Sequence, residues 1–202
     1  MLNDLKALLV VLGIAVPVFA LLKPVCLRFM SVEAFKLRRN GWMLLTAAAF
    51  MSPSFWVFAL IAGPVYAWLG AKDSNPVALY LFLAHVIPPY PFSIPIVGIN
   101  QLFELTNFRL LALAVFVPWL WRNPRSSEPG ANQITAIGCC LLAYWAIKLL
   151  PMVPYESPTS TVRRAFLFFL DTAVLYYLAS RACASKAKIV EVMATFGLMC
   201  AL

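Results

Sequence analysis

Apolar runs close to membrane-crossing length, cut by short polar connections, make up most of the chain. The first runs from about Leu5 to Leu22 and stops at Lys23-Pro24. A longer block extends from Trp42 to Gly70, with interruptions at Ser52-Pro53 and Gly63-Pro64. A third covers Val77 to Ile87, and a loop, PPYPFSIPIVGINQLFELTN, then leads to Asn107. Further helices are expected at about Phe108–Trp121, Gln133–Leu150, Arg163–Ser180 and from Ile189 onwards. Thr106/Asn107 and Ser160/Thr161 mark two helix starts, because such side chains accept hydrogen bonds from exposed backbone N–H groups. There is no internal repeat and no low-complexity segment.

Composition identifies the solvent. Of 202 residues, 63% are hydrophobic and 12% charged, with mean hydropathy +0.85. A soluble domain is nearer about half apolar and a quarter charged. A soluble fold of this size cannot hide so much apolar surface, so the solvent is lipid. At roughly 20 residues per span, the expected fold is an all-α polytopic transmembrane helical bundle. It has about six or seven membrane segments and forms a single transmembrane domain over residues 1–202. Lys6 before an apolar run mimics a signal peptide, but no cleavage site follows, so the first helix is read as retained. In this setting a net charge of +8 points away from nucleic acid. It points to cytoplasmic basic loops and to membrane lipids with anionic headgroups.

The block Trp42–Gly70 decides the topology. As one tilted helix it splits the sixteen positive residues almost evenly between the two faces. As a pair turning back near Ser52-Pro53, it puts Lys23, Arg28, Lys36, Arg38, Arg39, Lys72, Arg122, Arg125, Arg181, Lys186 and Lys188 on one side. That is eleven against five, the others being Lys6, Arg109, Lys148, Arg163 and Arg164. The positive-inside bias favours the pair. Since 29 residues are too few for two full spans, a broken or re-entrant hairpin is expected, its turn buried or wet. The loops Pro88–Asn107 and Pro151–Ser160 then face outwards with Arg109, Arg163 and Arg164.

Chemistry concentrates between Pro151 and Arg181, PMVPYESPTSTVRRAFLFFLDTAVLYYLASR. Asp171 lies about halfway along an apolar helix, where an ionised group costs roughly 2.5–3.5 kcal/mol on insertion scales. It falls two helical turns beyond Arg164, on one face. Arg163, Arg164 and Arg109 stand near helix starts, which carry partial positive charge and free N–H groups. Guanidiniums grip phosphate oxygens with paired hydrogen bonds, so the three form a candidate diphosphate site. The bland alternatives are a snorkelling helix boundary for Arg163 and Arg164, a Glu104 pair for Arg109, and a structural ion pair for Asp171. Tyr155, Glu156, Ser157, Thr159, Ser160 and Thr161 are suited to sugar hydroxyls, or form a solvated loop. His85 and the five cysteines read as packed residues, with no metal site or disulfide. The Trp and Tyr residues near span ends, Trp42, Tyr66, Trp68 and Trp121 among them, read as an interfacial aromatic belt. No Ser/His/Asp set, phosphate-binding Gly loop or HExxH motif occurs.

The segment SPTSTVRRAFLFFLDTAVLYYLASR resembles part of the O-antigen ligase/polymerase-like bacterial membrane proteins, of the exopolysaccharide-polymerase kind. In those a Ser/Thr-rich loop leads to an arginine, a helix with an aspartate, an aromatic pair and Ser-Arg. PIVGINQLFELTNFRLLALAVFVP is similar to their outward loop before an arginine-led helix. The resemblance implies polymerisation or ligation of undecaprenyl-diphosphate-linked glycans at the periplasmic face of the bacterial inner membrane. It needs no cofactor, and other polysaccharide-assembly proteins are possible partners. Arg163 or Arg164, and then Arg109, match arginines near the lipid diphosphate. Family members run to about twice this length, so the chain is expected to be an amino-terminal portion, with the general base unidentified. Two other classes remain open: a transporter or flippase for a lipid-linked or anionic solute, and a non-catalytic scaffold of a polysaccharide machine.

Overall fold

A computed structural model describes residues 2–84, 92–96, 99–122, 136–152, 154–183 and 185–202. The chain folds as two compact units. The first comprises Met1–Phe92, Thr106–Asn123 and Ala182–Leu202; the second comprises Ser93–Leu105 and Pro124–Arg181.

The first unit begins with α1 (Leu2–Cys26), which runs through Lys23 and Pro24 rather than stopping there. Proline lacks a donor, but one lost bond near the last turn of a 25-residue helix does not end it. Ser31 caps α2 (Val32–Met51), its side chain accepting from Ala34 N at 3.1 Å. Ser52, Pro53 and Ser54 form the turn, and α3 (Phe55–Lys72) follows with Ser54 as its cap. The Trp42–Gly70 block is therefore a helix pair. Its first helix is longer than expected, because α2 starts ten residues before Trp42 and takes the basic segment into the helix.

Asn75 starts α4 (Pro76–Ala84), nine residues of which Ala78, Leu79, Phe82 and Leu83 are fully enclosed. Helix α4 sits at the centre of the unit, packed by α2, α3, α5 (Asn107–Arg122) and the final helix. The start of α5 agrees with expectation: Thr106 Oγ1 accepts from Arg109 N at 3.4 Å. Tyr66 of α3 donates to Asn107 Oδ1 at 3.0 Å, both residues being fully buried. Gly70 lets α3 and α5 approach closely, since a Cβ there would lie 3.0 Å from the Val115 Cα. Small residues at such crossings are the usual device of helix packing in lipid.

In the second unit, two strands, β1 (Phe92–Ile96) and β2 (Ile99–Leu105), pair within what reads as a loop in the sequence. The connection is too short for a parallel crossover, so the pair is antiparallel. Helix α6 (Ala136–Leu149) and a short 3-10 turn, Leu150–Met152, lead to α7 (Pro158–Ala182). Helix α8 (Lys186–Ala201), capped by Ser185, completes the first unit.

Among the described residues three helices, Leu5–Cys26, Phe55–Lys72 and Pro158–Ala182, are long and apolar enough to cross a membrane. That is fewer than the six or seven segments expected. Helix α2 has the length, but Lys36, Arg38 and Arg39 lie inside it. Helices α4, α5, α6 and α8 are shorter than the 18 residues of the shortest spanning helix. The outside of the bundle is nonetheless apolar, with Leu9, Ile14, Leu21, Leu60 and Met193 all exposed. Polar groups go inward instead: Arg38, Asp73, Asn75, Asn107, Glu191 and Thr195 are buried. Lipid as solvent produces this inversion.

Candidate functional site

Two polar centres stand out, one in each unit. In the second unit, Ser157 caps α7 by accepting from Ser160 N at 3.4 Å, so the helix starts at Pro158 rather than at Ser160/Thr161. Proline suits a first helical position because that N–H has no intrahelical partner. Ser160 and Thr161 accordingly lie inside the first turn, where Thr161 Oγ1 donates to Ser157 O at 3.3 Å. Arg163 and Arg164 fall in the second turn, half-buried and exposed respectively. Arg164 Nη1 meets Glu156 Oε1 at 2.7 Å. The other carboxylate oxygen, Glu156 Oε2, is buried and has no hydrogen-bond partner. Tyr155 beside it is 88% exposed. Strand β2 lies against the first half of α7, which brings the hairpin backbone to the arginine-bearing turns.

Asp171 lies in a π-helical turn, Phe169–Val174, and is exposed. Thr172 Oγ1 donates to Phe168 O at 2.6 Å within the same stretch. Single π-helical turns inside α-helices are frequent at functional sites. Below them Tyr144 of α6 packs on Phe168, ring centroids 5.7 Å apart. The structure thus gathers Tyr155, Glu156, Ser160, Thr161, Arg163 and Arg164 at the head of one membrane-length helix, with Asp171 further along it. Arg109, half-buried in the first turn of α5, belongs to the other unit. His85 lies outside the described residues.

The centre in the first unit is one the sequence reading missed. Arg38 is 2% exposed. Its Nε donates to Asp73 Oδ2 at 2.8 Å and its Nη2 to Asp73 Oδ1 at 2.7 Å, a two-pronged grip. Nη2 also reaches Glu191 Oε1 at 2.6 Å, and Nη1 donates to Thr195 Oγ1 at 3.1 Å. Asn75 completes the set, its N bonding Asp73 Oδ1 at 2.8 Å and its Nδ2 bonding Glu191 Oε2 at 3.0 Å. Every carboxylate oxygen has a donor, so the cluster is a closed joint between α2, the α3–α4 connection and α8. The signal available in the sequence was the placement of Asp73 and Glu191 beside Lys72, Lys186 and Lys188, the same face as Arg38 in the eleven-to-five topology.

Two aromatic assignments change as well. Trp42 and Tyr66 are core residues rather than belt members; Trp42 packs edge-on to Phe19 at 5.6 Å. Of the five free cysteines Cys26 alone is buried, and Cys139, Cys140 and Cys200 are exposed. Among the described residues no group of His, Cys, Asp or Glu has the arrangement of a metal site. Comparison with protein-family models, curated proteins and solved structures finds no match to the chain.

Proposed function

We propose that the chain is part of a bacterial lipid-linked saccharide polymerase or ligase, acting on undecaprenyl-diphosphate-linked glycans at the periplasmic face of the inner membrane. In this reading the shorter helices complete a bundle of six or seven membrane segments around the three long ones. The observation that carries it is the head of α7. There a membrane-length helix presents consecutive arginines, a capped N-terminus and a carboxylate with one oxygen unbonded.

The chemistry asks for little more. An acceptor hydroxyl oxygen bonds to the anomeric carbon while the bond from that carbon to the diphosphate oxygen breaks. The lipid diphosphate departs with the electron pair, and its growing charge is met by Arg163 and Arg164. The hydroxyl proton passes to Glu156, whose Oε2 needs a donor. Glu156 is held by Arg164 at 2.7 Å, so one group serves both partners. Asp171, Tyr155, Ser160 and Thr161 contact the sugar or orient the arginines.

The test replaces Arg163 and Arg164 together by alanine in the native host. Polymer should disappear from the cell surface and lipid-linked repeat units should accumulate, with the protein still at normal abundance in the membrane. Unchanged polymer at normal abundance would sink the enzyme reading in favour of a scaffold. Glu156→Gln should leave lipid-linked substrate bound and stop its consumption.

A further inference from the structure

The closed joint around Arg38 has an electrostatic effect on the surface above it. Three segments meet there: the start of α2, the end of α3 and the start of α8. Helix α1 arrives at the same end, since Phe19 packs on both Phe35 and Trp42 and a short turn joins Cys26 to Ser31. Helix α5 finishes there too, with Arg122 Nη1 donating to Ala71 O at 2.7 Å. One end of the first unit therefore carries Lys23, Arg28, Lys36, Arg39, Lys72, Arg122, Lys186 and Lys188, exposed or half-buried.

Among the described residues, three carboxylates belong to this end, and two of them, Asp73 and Glu191, are turned inward onto Arg38. One guanidinium inside thus removes two negative charges from the rim. Among the described residues, the surface that remains has eight cations against Glu33, which is exposed. The rim also borders apolar surface: Trp121 is 83% exposed, and Val25, Phe29, Ile189 and Val190 are exposed as well. Lys72 Nζ stands 4.3 Å from the centroid of the exposed Trp68 ring. Tryptophan beside lysine, between apolar wall and charged rim, is the composition of a headgroup-level surface.

We infer that this rim binds the headgroups of anionic phospholipids, taking their phosphodiesters between lysines and arginines of neighbouring helices. The inference does not rest on the reading of the α7 site. A juxtamembrane cation near a negatively charged leaflet strengthens binding by about fivefold, and the attraction fades within a Debye length, about 8 Å at physiological salt.

The experiment titrates the detergent-solubilised full chain with phosphatidylglycerol and separately with phosphatidylcholine, counting bound lipids by native mass spectrometry. The native chain should prefer phosphatidylglycerol by at least about tenfold, given several cations at about fivefold each. Lys23, Lys36, Lys72 and Lys186 changed together to glutamine should abolish that preference, and the same four changed to arginine should keep it. Equal binding of both lipids by the native chain, or a preference surviving the glutamine changes, would overturn the inference. So would displacement of phosphatidylglycerol by inorganic pyrophosphate at low concentration, which would assign the rim to a diphosphate instead.

Discussion

Arg38 and Arg164 are the same residue type, each within bonding distance of a glutamate, and the fold uses them in opposite ways. Arg38 is sealed among two carboxylates and a threonine. Arg164 has its side chain 57% exposed, bridged to one glutamate. A buried guanidinium with four of its five N–H groups bonded inside the protein has little to offer a ligand. A bridged but solvent-reached one can exchange its partner for a phosphate at little loss, because exposed ion pairs are worth only about 0–1 kcal/mol. The difference teaches that the more elaborate polar cluster is the structural one, and the plainer one is where chemistry can occur.

The largest expected effect comes from breaking the sealed side of this contrast. Arg38→Ala leaves Asp73 and Glu191 buried without a counter-charge, and losing one partner of a buried pair costs about 3–5 kcal/mol. The variant should fail to accumulate, or melt far below the native chain in detergent; native-like melting would show that the joint does not hold the fold. Gly70→Val comes next, since its side chain meets Val115 backbone at 3.0 Å, where overpacking costs about 1–3 kcal/mol. Gly41→Ala is the control: its neighbour is the flexible Leu69 side chain at 2.7 Å, and the melting temperature should fall less. Tyr66→Phe removes the donor to Asn107 Oδ1 and should cost about 1–3 kcal/mol for the stranded acceptor, read from the same melts. Smallest in stability is Arg164→Ala, below about 1 kcal/mol, although surface polymer should drop sharply. A large stability loss there would erase the distinction between the two arginines.

The helices were legible because apolar runs of this length have one economical solution in lipid, to satisfy the backbone internally. The paired reading of Trp42–Gly70 was legible through charge, yet the start of its first helix was not. Lys36, Arg38 and Arg39 look like a loop until Ser31 is recognised as a cap and Arg38 is given its carboxylates. The hairpin Phe92–Leu105 hid behind its prolines, although Ile94, Ile96 and Ile99 favour strand pairing. The residues at the head of α7 are neighbours in sequence and so in the helix, with the cap displaced to Ser157. Glu156 drew notice only as one of several hydroxyl-reading residues. Its unbonded oxygen depends on the Arg164 contact, which no spacing in the chain reveals.

The turn at Ser52–Ser54 bears on how the protein is made. Arg38 and Asp73 come from opposite arms of one hairpin, so a nascent chain can neutralise that arginine within a single unit of synthesis. Helix α2, which carries Lys36, Arg38 and Arg39, then has one of its charges matched within the hairpin itself. Glu191 emerges from the ribosome more than a hundred residues after Asp73, and reaches a joint whose first bond can already be in place.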